Sequence, residues 1–412
     1  MTEKELKPAT TPSTEEEPGL RTAIVETARA IDTDIQTANL PVYRASTVLF
    51  DSLEQARDRG KQVGTGVLHQ STYSTVGTPT TFALMDALSE IEGRGADCRA
   101  ALMPSGLAAI TTALLAFLKP GDSLLMSDSV YGPARVFAQN MLTDLGVQTI
   151  FYDPHASADE VAALITPTTR VLYLESPGSY TFELQDMPAL CAMARARGLI
   201  SMVDNAWASP VFARPFDWGV DLSILPLTKY WSGHSDVLMG AVVVREEHWQ
   251  TLFRAVRQLG MCVGGDDAFL ILRGLRTAQV RMQQHQSSAL AVARWLQSLP
   301  EVKTVLHPAL PGHPHHERFK RDFSGSSGLF SFELSATVGE PAIKALVEKR
   351  KHFGMGYSWG GFESLIMPAS LGGIRSVSPW RGGQLVRLHI GLEDPGELIA
   401  DLNDGFESMR QA

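Results

Sequence analysis

Cysteine is scarce. Only Cys98, Cys191 and Cys262 occur in 412 residues, far apart and odd in number, which excludes a disulfide framework and a CxxC metal site and points to a reducing cytoplasm. There is no block of lysine or arginine, and the formal net charge is -9. Neither a nucleic-acid duplex nor an anionic membrane is therefore the expected partner, and a small molecule is. Residues 1–19 contain Glu15, Glu16 and Glu17 with several Thr and Pro but no apolar segment, so they are not a secretory signal, and residues 1–20 read as a disordered arm. Internal repeats of solenoid period are absent, as are low-complexity tracts beyond that arm. An uninterrupted membrane span is missing too. Ala100 to Leu118 is uncharged and long enough to cross a bilayer, but Pro104-Ser105-Gly106 divides it into a short strand and an alanine-rich helix.

What is present is a folded, enzyme-sized chain: 44% hydrophobic and 20% charged residues, with 7 Trp and 17 Phe, and a length that suits two or three domains. Apolar runs at Ser123 to Met126, Val147 to Phe151, Val171 to Leu174, Ile200 to Val203 and Ala241 to Val244 alternate with helical stretches such as Pro188 to Arg197. That alternation predicts an α/β layer around a mostly parallel sheet. Beyond about residue 275 the texture changes to an amphipathic helix near Gln283 to Leu299, a His/Pro/Gly-rich loop at His307 to His316, and strands at Leu329 to Leu334 and Val386 to His389. A separate, smaller α+β domain is the expectation.

Three segments can carry chemistry. Asp204 ends a strand in SMVDNAWASP, and the carboxyl ends of strands in open parallel sheets face ligand crevices. Lys229 follows the apolar stretch Leu222 to Leu227, with no other cation until Arg245; desolvation there lowers a lysine pKa and makes the amine a Schiff-base nucleophile. Either residue alone equally suits a surface charge or a buried salt bridge. Ser105-Gly106-Leu107 turns a strand into a helix, where free N–H groups and the helix dipole favour a phosphate, although a plain helix cap uses the same residues. An aldehyde cofactor that carries a phosphate and a pyridine nitrogen would occupy all three sites together, and pyridoxal phosphate is such a cofactor.

Here a resemblance becomes specific. The runs YSTVGTPTTFALMDALSEIEG, DSVYGPARVF, LESPGSYTFELQD, VDNAWASPVF, LTKYWSGHSDVLMGAVV, RGLRT, YSWGGFESL and VRLHIGLED resemble the Cys/Met-metabolism family of fold type I pyridoxal-phosphate enzymes, and within it the cystathionine β-lyase branch. The similarity runs from about residue 22 to the C-terminus. It implies a large domain with a mostly parallel seven-stranded sheet and a smaller C-terminal α+β domain. The division is 21–78 for a segment reaching a neighbouring subunit, 79–275 for the cofactor-binding domain and 276–412 for the rest. It further implies that Lys229 binds the cofactor covalently and then moves protons at the substrate carbons. Asp204 would keep the pyridine nitrogen protonated, Tyr131 would stack on the ring, and Ser105, Gly106, Leu107 and the Thr228 hydroxyl would hold the phosphate. Arg387 would grip the substrate carboxylate as a bidentate fork, with Ser358 and Trp359 beside the substrate. Tyr73 would reach the phosphate across a subunit boundary in a homotetramer built of dimers. Without the resemblance, Tyr131, Trp359 and Arg387 read as a half-buried tyrosine, a core plug and an arginine on an exposed strand.

The chain departs from that family at the far end of the substrate channel. The family pattern Tyr-x-Arg becomes Tyr73-Ser74-Thr75. A second arginine of the lyase branch is replaced by Val76, and an acidic residue five positions after the stacking tyrosine by Val136. Each charged hydrogen bond lost is worth about 1.5–3 kcal/mol, so a substrate with a distal carboxylate, such as cystathionine, is disfavoured. A neutral or cationic distal end is favoured. Canavanine fits, since its guanidinooxy group is cationic and its γ-oxygen can leave. Glu363 in GGFESL serves either such a cation or the structure alone.

The resulting expectation is a cytoplasmic lyase that eliminates a β- or γ-heteroatom substituent from an amino acid. The alternatives are a γ-replacement transferase acting on homoserine esters and a non-catalytic cofactor-binding regulator. Three other patterns are set aside: Gly233-His234-Ser235-Asp236 as a triad, His313-Pro314-His315-His316 as a metal site, and the glycine pairs Gly64/Gly66 and Gly354/Gly356 as dinucleotide fingerprints.

Overall fold

The computed structural model describes residues 19–28, 37–335 and 338–412. The expected arm lies outside these except for Gly19 and Leu20, and Leu20 already belongs to the helix Leu20–Glu26. The first sheet comprises β1 Cys98–Met103, β2 Ser123–Ser127, β3 Gln148–Tyr152, β4 Thr169–Glu175, β5 Ile200–Asp204, β6 Leu222–Leu225 and β7 Gly240–Arg245. Their spatial order is β1-β7-β6-β5-β4-β2-β3.

The pairs among β2 to β6 are parallel, whereas β7 runs antiparallel to both β6 and β1. The run Ala241 to Val244 is thus a strand of opposite sense to its neighbours. The physical reason lies in the connection from β6, which carries no crossover helix to return the chain to the other end of the sheet. Alternate residues of β4 feed opposite faces: Leu172 and Leu174 join one apolar cluster, Val171 and Tyr173 the other. Because both faces are covered, the strands read as continuous apolar runs.

The suspected membrane-like stretch resolves into β1 and the helix Gly106–Phe117, with Ser105 capping the helix by accepting from the Ala108 N–H at 3.1 Å. No helix among the described residues is long and apolar enough to cross a membrane. Gly240 makes the turn before the helix possible, since a Cβ there would lie 2.2 Å from the Ser105 carbonyl oxygen.

After the helix Gly265–Leu275 the chain enters the long helix Ala278–Leu296. This helix starts and ends a few residues earlier than the Gln283 to Leu299 expected from sequence; Leu299 itself is kept out of helical geometry by Pro300. The second sheet follows: β8 Val302–Leu306, β9 Leu329–Leu334, β10 Phe353–Gly354, β11 Ser364–Ala369 and β12 Leu385–His389, in the order β10-β11-β12-β9-β8. All its pairs are antiparallel except β10 with β11. Its own core includes Phe330, Phe332, Val386, Leu388 and Phe406.

Candidate active site

The carboxyl ends of β1, β2, β4, β5 and β6 converge, which is where a doubly wound sheet opens its crevice. Asp204 is the last residue of β5 and only 6% exposed. Its Oδ1 has no hydrogen-bond partner among the described residues, and burial pushes its carboxyl up to about 7 against the pull of the Ala206 N–H and Lys229. Lys229 sits just beyond β6. Burial and the nearby Arg387 charge bring its amine down to about 8, with Asp204 opposing. Its Nζ donates to Ser358 Oγ and stands 5.0 Å from the Trp359 ring centroid.

Ser358 and Trp359 come from the second domain, on a segment pressed against the Lys229 backbone. Ser358 is held at φ 77 and Gly360 at φ 90, and a Cβ on Gly360 would meet Tyr230 N at 2.9 Å and Lys229 C and Cα at 3.0 Å. The Gly360 N–H is anchored on His389 Nε2 at 3.1 Å. A left-handed serine beside a glycine that cannot be replaced without collision is backbone strain gathered at a functional position.

Arg387 lies on β12. Its guanidinium is 5.4 Å from the Tyr180 ring and makes long contacts of 3.5 and 3.4 Å with the Gly356 and Ser358 carbonyls. Burial lowers its pKa, and it has no carboxylate partner among the described residues. A desolvated guanidinium in that condition is a ready seat for an incoming carboxylate. Tyr131 follows β2 and is about half exposed. Its main-chain N–H donates to Glu175 Oε2 at 2.6 Å, and its phenol is held above the usual range by burial, then by Asp204 and Glu175. At the head of the helix Gly106–Phe117 the N–H groups of Gly106 and Leu107 take part in no hydrogen bond among the described residues. Thr228 Oγ1 accepts from the Met239 N–H at 3.0 Å and donates to the Met239 carbonyl at 3.3 Å, a long bond that a stronger, charged acceptor can replace.

The chain matches the family described as Cys/Met metabolism PLP-dependent enzyme over residues 21–407. It belongs to that family. It is 46% identical over 89% of its length, and 91% of the other chain, to a putative cystathionine beta-lyase of Rhizobium johnstonii. With cystathionine beta-lyase MetC of Escherichia coli it shares 42% identity, over 94% of this chain and 98% of that one. The crystal structure of cystathionine gamma synthase from Xanthomonas oryzae pv. oryzae in complex with cystathionine superposes with a TM-score of 0.84 at 31% identity, covering 97% of this chain and 100% of that one. The fold is therefore that of the fold type I enzymes and the cofactor is pyridoxal 5'-phosphate.

The residues present fit this cofactor. The orphaned Asp204 Oδ1 suits a ring N–H, the free Gly106 and Leu107 N–H groups suit a phosphate, and the Lys229 amine suits an aldehyde carbon.

Tyr73 and Thr75 stand apart from this assembly. Tyr73 is 49% exposed and bridges to Thr47. Thr75 and Val76 line a separate cleft with Trp249, Phe253, Met261 and Cys262. Within the chain neither Tyr73 nor Thr75 is hydrogen-bonded to Lys229, Asp204 or Tyr131. Val136, on the helix Gly132–Phe137 after Tyr131, is 55% exposed.

The set-aside motifs find other uses. Ser235 Oγ lies 2.6 and 2.8 Å from the two carboxylate oxygens of Glu363, and His234 Nδ1 meets the Ser232 carbonyl at 2.6 Å, so no triad forms and Glu363 already has a partner. His315 Nδ1 accepts from the Leu184 N–H at 2.9 Å and His313 Nδ1 from the His315 N–H at 3.2 Å, so one nitrogen of each ring serves the local main chain. Sequence reasoning missed Glu175, Tyr180 and their neighbour Arg375. For Glu175 a signal existed: it ends β4 in LESPGSYT as Asp204 ends β5.

Proposed function

We propose that this chain is a cytoplasmic pyridoxal-phosphate lyase that expels a γ-heteroatom substituent from an amino acid with a neutral or cationic distal end, canavanine being the leading case. The observation that carries this reading is the absence of charge at Thr75, Val76 and the half-exposed Val136, positions where the resemblance implies two arginines and an acid; Thr75 and Val76, which stand apart from Lys229 within one chain, would join the distal subsite of a neighbouring subunit. An anionic distal group would find no cation at these positions.

The residues would divide the work as follows. Arg387, with no carboxylate of its own, binds the substrate α-carboxylate. Lys229, partly deprotonated near neutral pH and steered by Ser358 Oγ, takes the proton from Cα and then from Cβ. Pyridoxal phosphate, when bound, supplies the electron sink for this chemistry, and Asp204 holds the ring nitrogen's proton. The Cγ–O bond then breaks, the electron pair leaving with the guanidinooxy oxygen, which takes up a proton and departs as hydroxyguanidine; the four-carbon fragment takes up one water and ends as 2-oxobutyrate with ammonia or, where the water adds at Cγ, as homoserine.

The reading includes a homotetramer with shared sites, a segment 21–78 that reaches the neighbouring subunit, and domains at 79–275 and 276–412. Leu49 and Leu53, 85% and 76% exposed in that segment, support it because such apolar side chains call for cover.

Restoring charge tests the specificity. Thr75→Arg combined with Val76→Arg should raise cystathionine turnover and depress that of canavanine. If cystathionine turnover does not rise, the missing charge is not what sets the substrate. A γ-replacement transferase is the second reading, favoured by the likeness to a γ-synthase structure; adding a thiol would then change the product rather than its rate.

A further inference from the structure

At their carboxyl ends β4 and β5 pair Glu175 with Asp204. Paired residues of adjacent parallel strands project to the same face, and the strands lie about 4.8 Å apart, so two carboxyl groups occupy one corner beside Lys229. Glu175 is only partly buried as a residue, and its Oε2 accepts the Tyr131 N–H.

The charged and titratable groups facing this pair come from every surrounding element. They are Tyr131 after β2, Tyr173 on β4, Glu183 after β4, Lys229 after β6, Arg375 before β12, and Arg387 on β12 beyond Tyr131. Lys229 lies toward Asp204. Arg375 pulls on Glu175 in the opposite sense, but it pairs with Glu183 Oε1 at 2.7 Å and donates to Thr181 Oγ1, and the Glu183 charge counters it at Glu175. Two carboxylates so close do not both ionise in a desolvated corner. The neighbour with an uncommitted cation is the one that stays anionic. Burial, followed by the Asp204 charge, holds the Glu175 carboxyl well above the usual range, in the same sense.

We propose that Glu175 is a positioning residue of the cofactor seat: it retains the proton of the pair, so that Asp204 is the single anion facing the ring nitrogen, and it fixes Tyr131 through the main-chain N–H. The role concerns cofactor binding and stands whichever substrate is turned over.

The test uses the full chain with and without pyridoxal phosphate and two readouts besides turnover: cofactor affinity by equilibrium dialysis, and the infrared carbonyl band of protonated carboxyl groups at neutral pH. Glu175→Ala should weaken cofactor binding about tenfold or more by releasing Tyr131. Glu175→Gln, neutral and still able to accept that N–H, should rescue binding to within about threefold of the unmodified protein and abolish one protonated-carboxyl band. Asp204→Asn should keep that band, which also provides the answer if the Glu175 variants fail to fold. The inference is overturned if Glu175→Gln binds as poorly as Glu175→Ala, or if the band survives in Glu175→Gln and disappears in Asp204→Asn.

Discussion

Replacing Gly360 by alanine tests how the second domain shapes the Lys229 site. At φ 90 an L-residue is in the left-handed region, which costs about 1–2 kcal/mol. The added Cβ would also stand 2.9 Å from Tyr230 N and 3.0 Å from Lys229 C and Cα, backbone atoms that cannot rotate away, and overpacking of this kind costs roughly 1–3 kcal/mol. The total is on the order of 2–5 kcal/mol. Gly121 supplies the control, because it has φ 92 and a Cβ added there would meet nothing within 4 Å; Gly121→Ala meets the left-handed cost alone. The two variants should therefore separate in urea midpoint. They should separate further in turnover, because a displacement of about 1 Å at a reacting group costs roughly a hundredfold in rate, and only Gly360→Ala pushes on the Lys229 backbone. Steady-state kinetics and the absorbance of lysine-bound cofactor read this directly. Equal turnover and equal cofactor attachment in the two variants would refute the claim that Gly360 sets the position of Lys229.

Arg387→Ala should lower kcat/KM by about 10²- to 10⁴-fold, from two charged hydrogen bonds at roughly 1.5–3 kcal/mol each. Arg387→Lys, which keeps the charge but not the fork, should recover only part of this, and a loss under tenfold in Arg387→Ala would exclude a carboxylate clamp. In the cofactor-free protein the Lys229 amine, brought down to about 8, should be neutral in about one molecule in ten at pH 7. Its neutral fraction rises with pH, so reductive methylation of this lysine should show a midpoint near pH 8. A midpoint in the ordinary lysine range would show that Lys229 is not desolvated as described.

The sheet and two site residues are legible in the sequence because their signals are local. Continuous apolar runs mark strands covered on both faces, and a carboxylate at the end of such a run marks Asp204; an isolated lysine after another marks Lys229. The same end-of-strand signal is present for Glu175, which follows the apolar run Val171 to Leu174 just as Asp204 follows Ile200 to Val203. The reversed direction of β7 is not legible, since strand sense depends on whether the connection crosses over. Tyr131 and Arg387 can be placed only by resemblance, because their partners lie far away in sequence: Glu175 for the Tyr131 N–H and Tyr180 for the Arg387 guanidinium. The left-handed Ser358 beside Gly360 is likewise a product of packing between domains, with no pattern of its own in YSWGGFESL.

On the proposed reading, loss of the distal charges redirects a lyase active site to a γ-substituted substrate without a distal carboxylate. The most direct test is product identification by NMR after incubating the cofactor-loaded enzyme separately with canavanine and with cystathionine at matched concentrations. Faster formation of 2-oxobutyrate or homoserine from canavanine is the predicted result. Faster formation of pyruvate from cystathionine would contradict that reading and reduce Thr75, Val76 and Val136 to tolerated substitutions in a β-lyase.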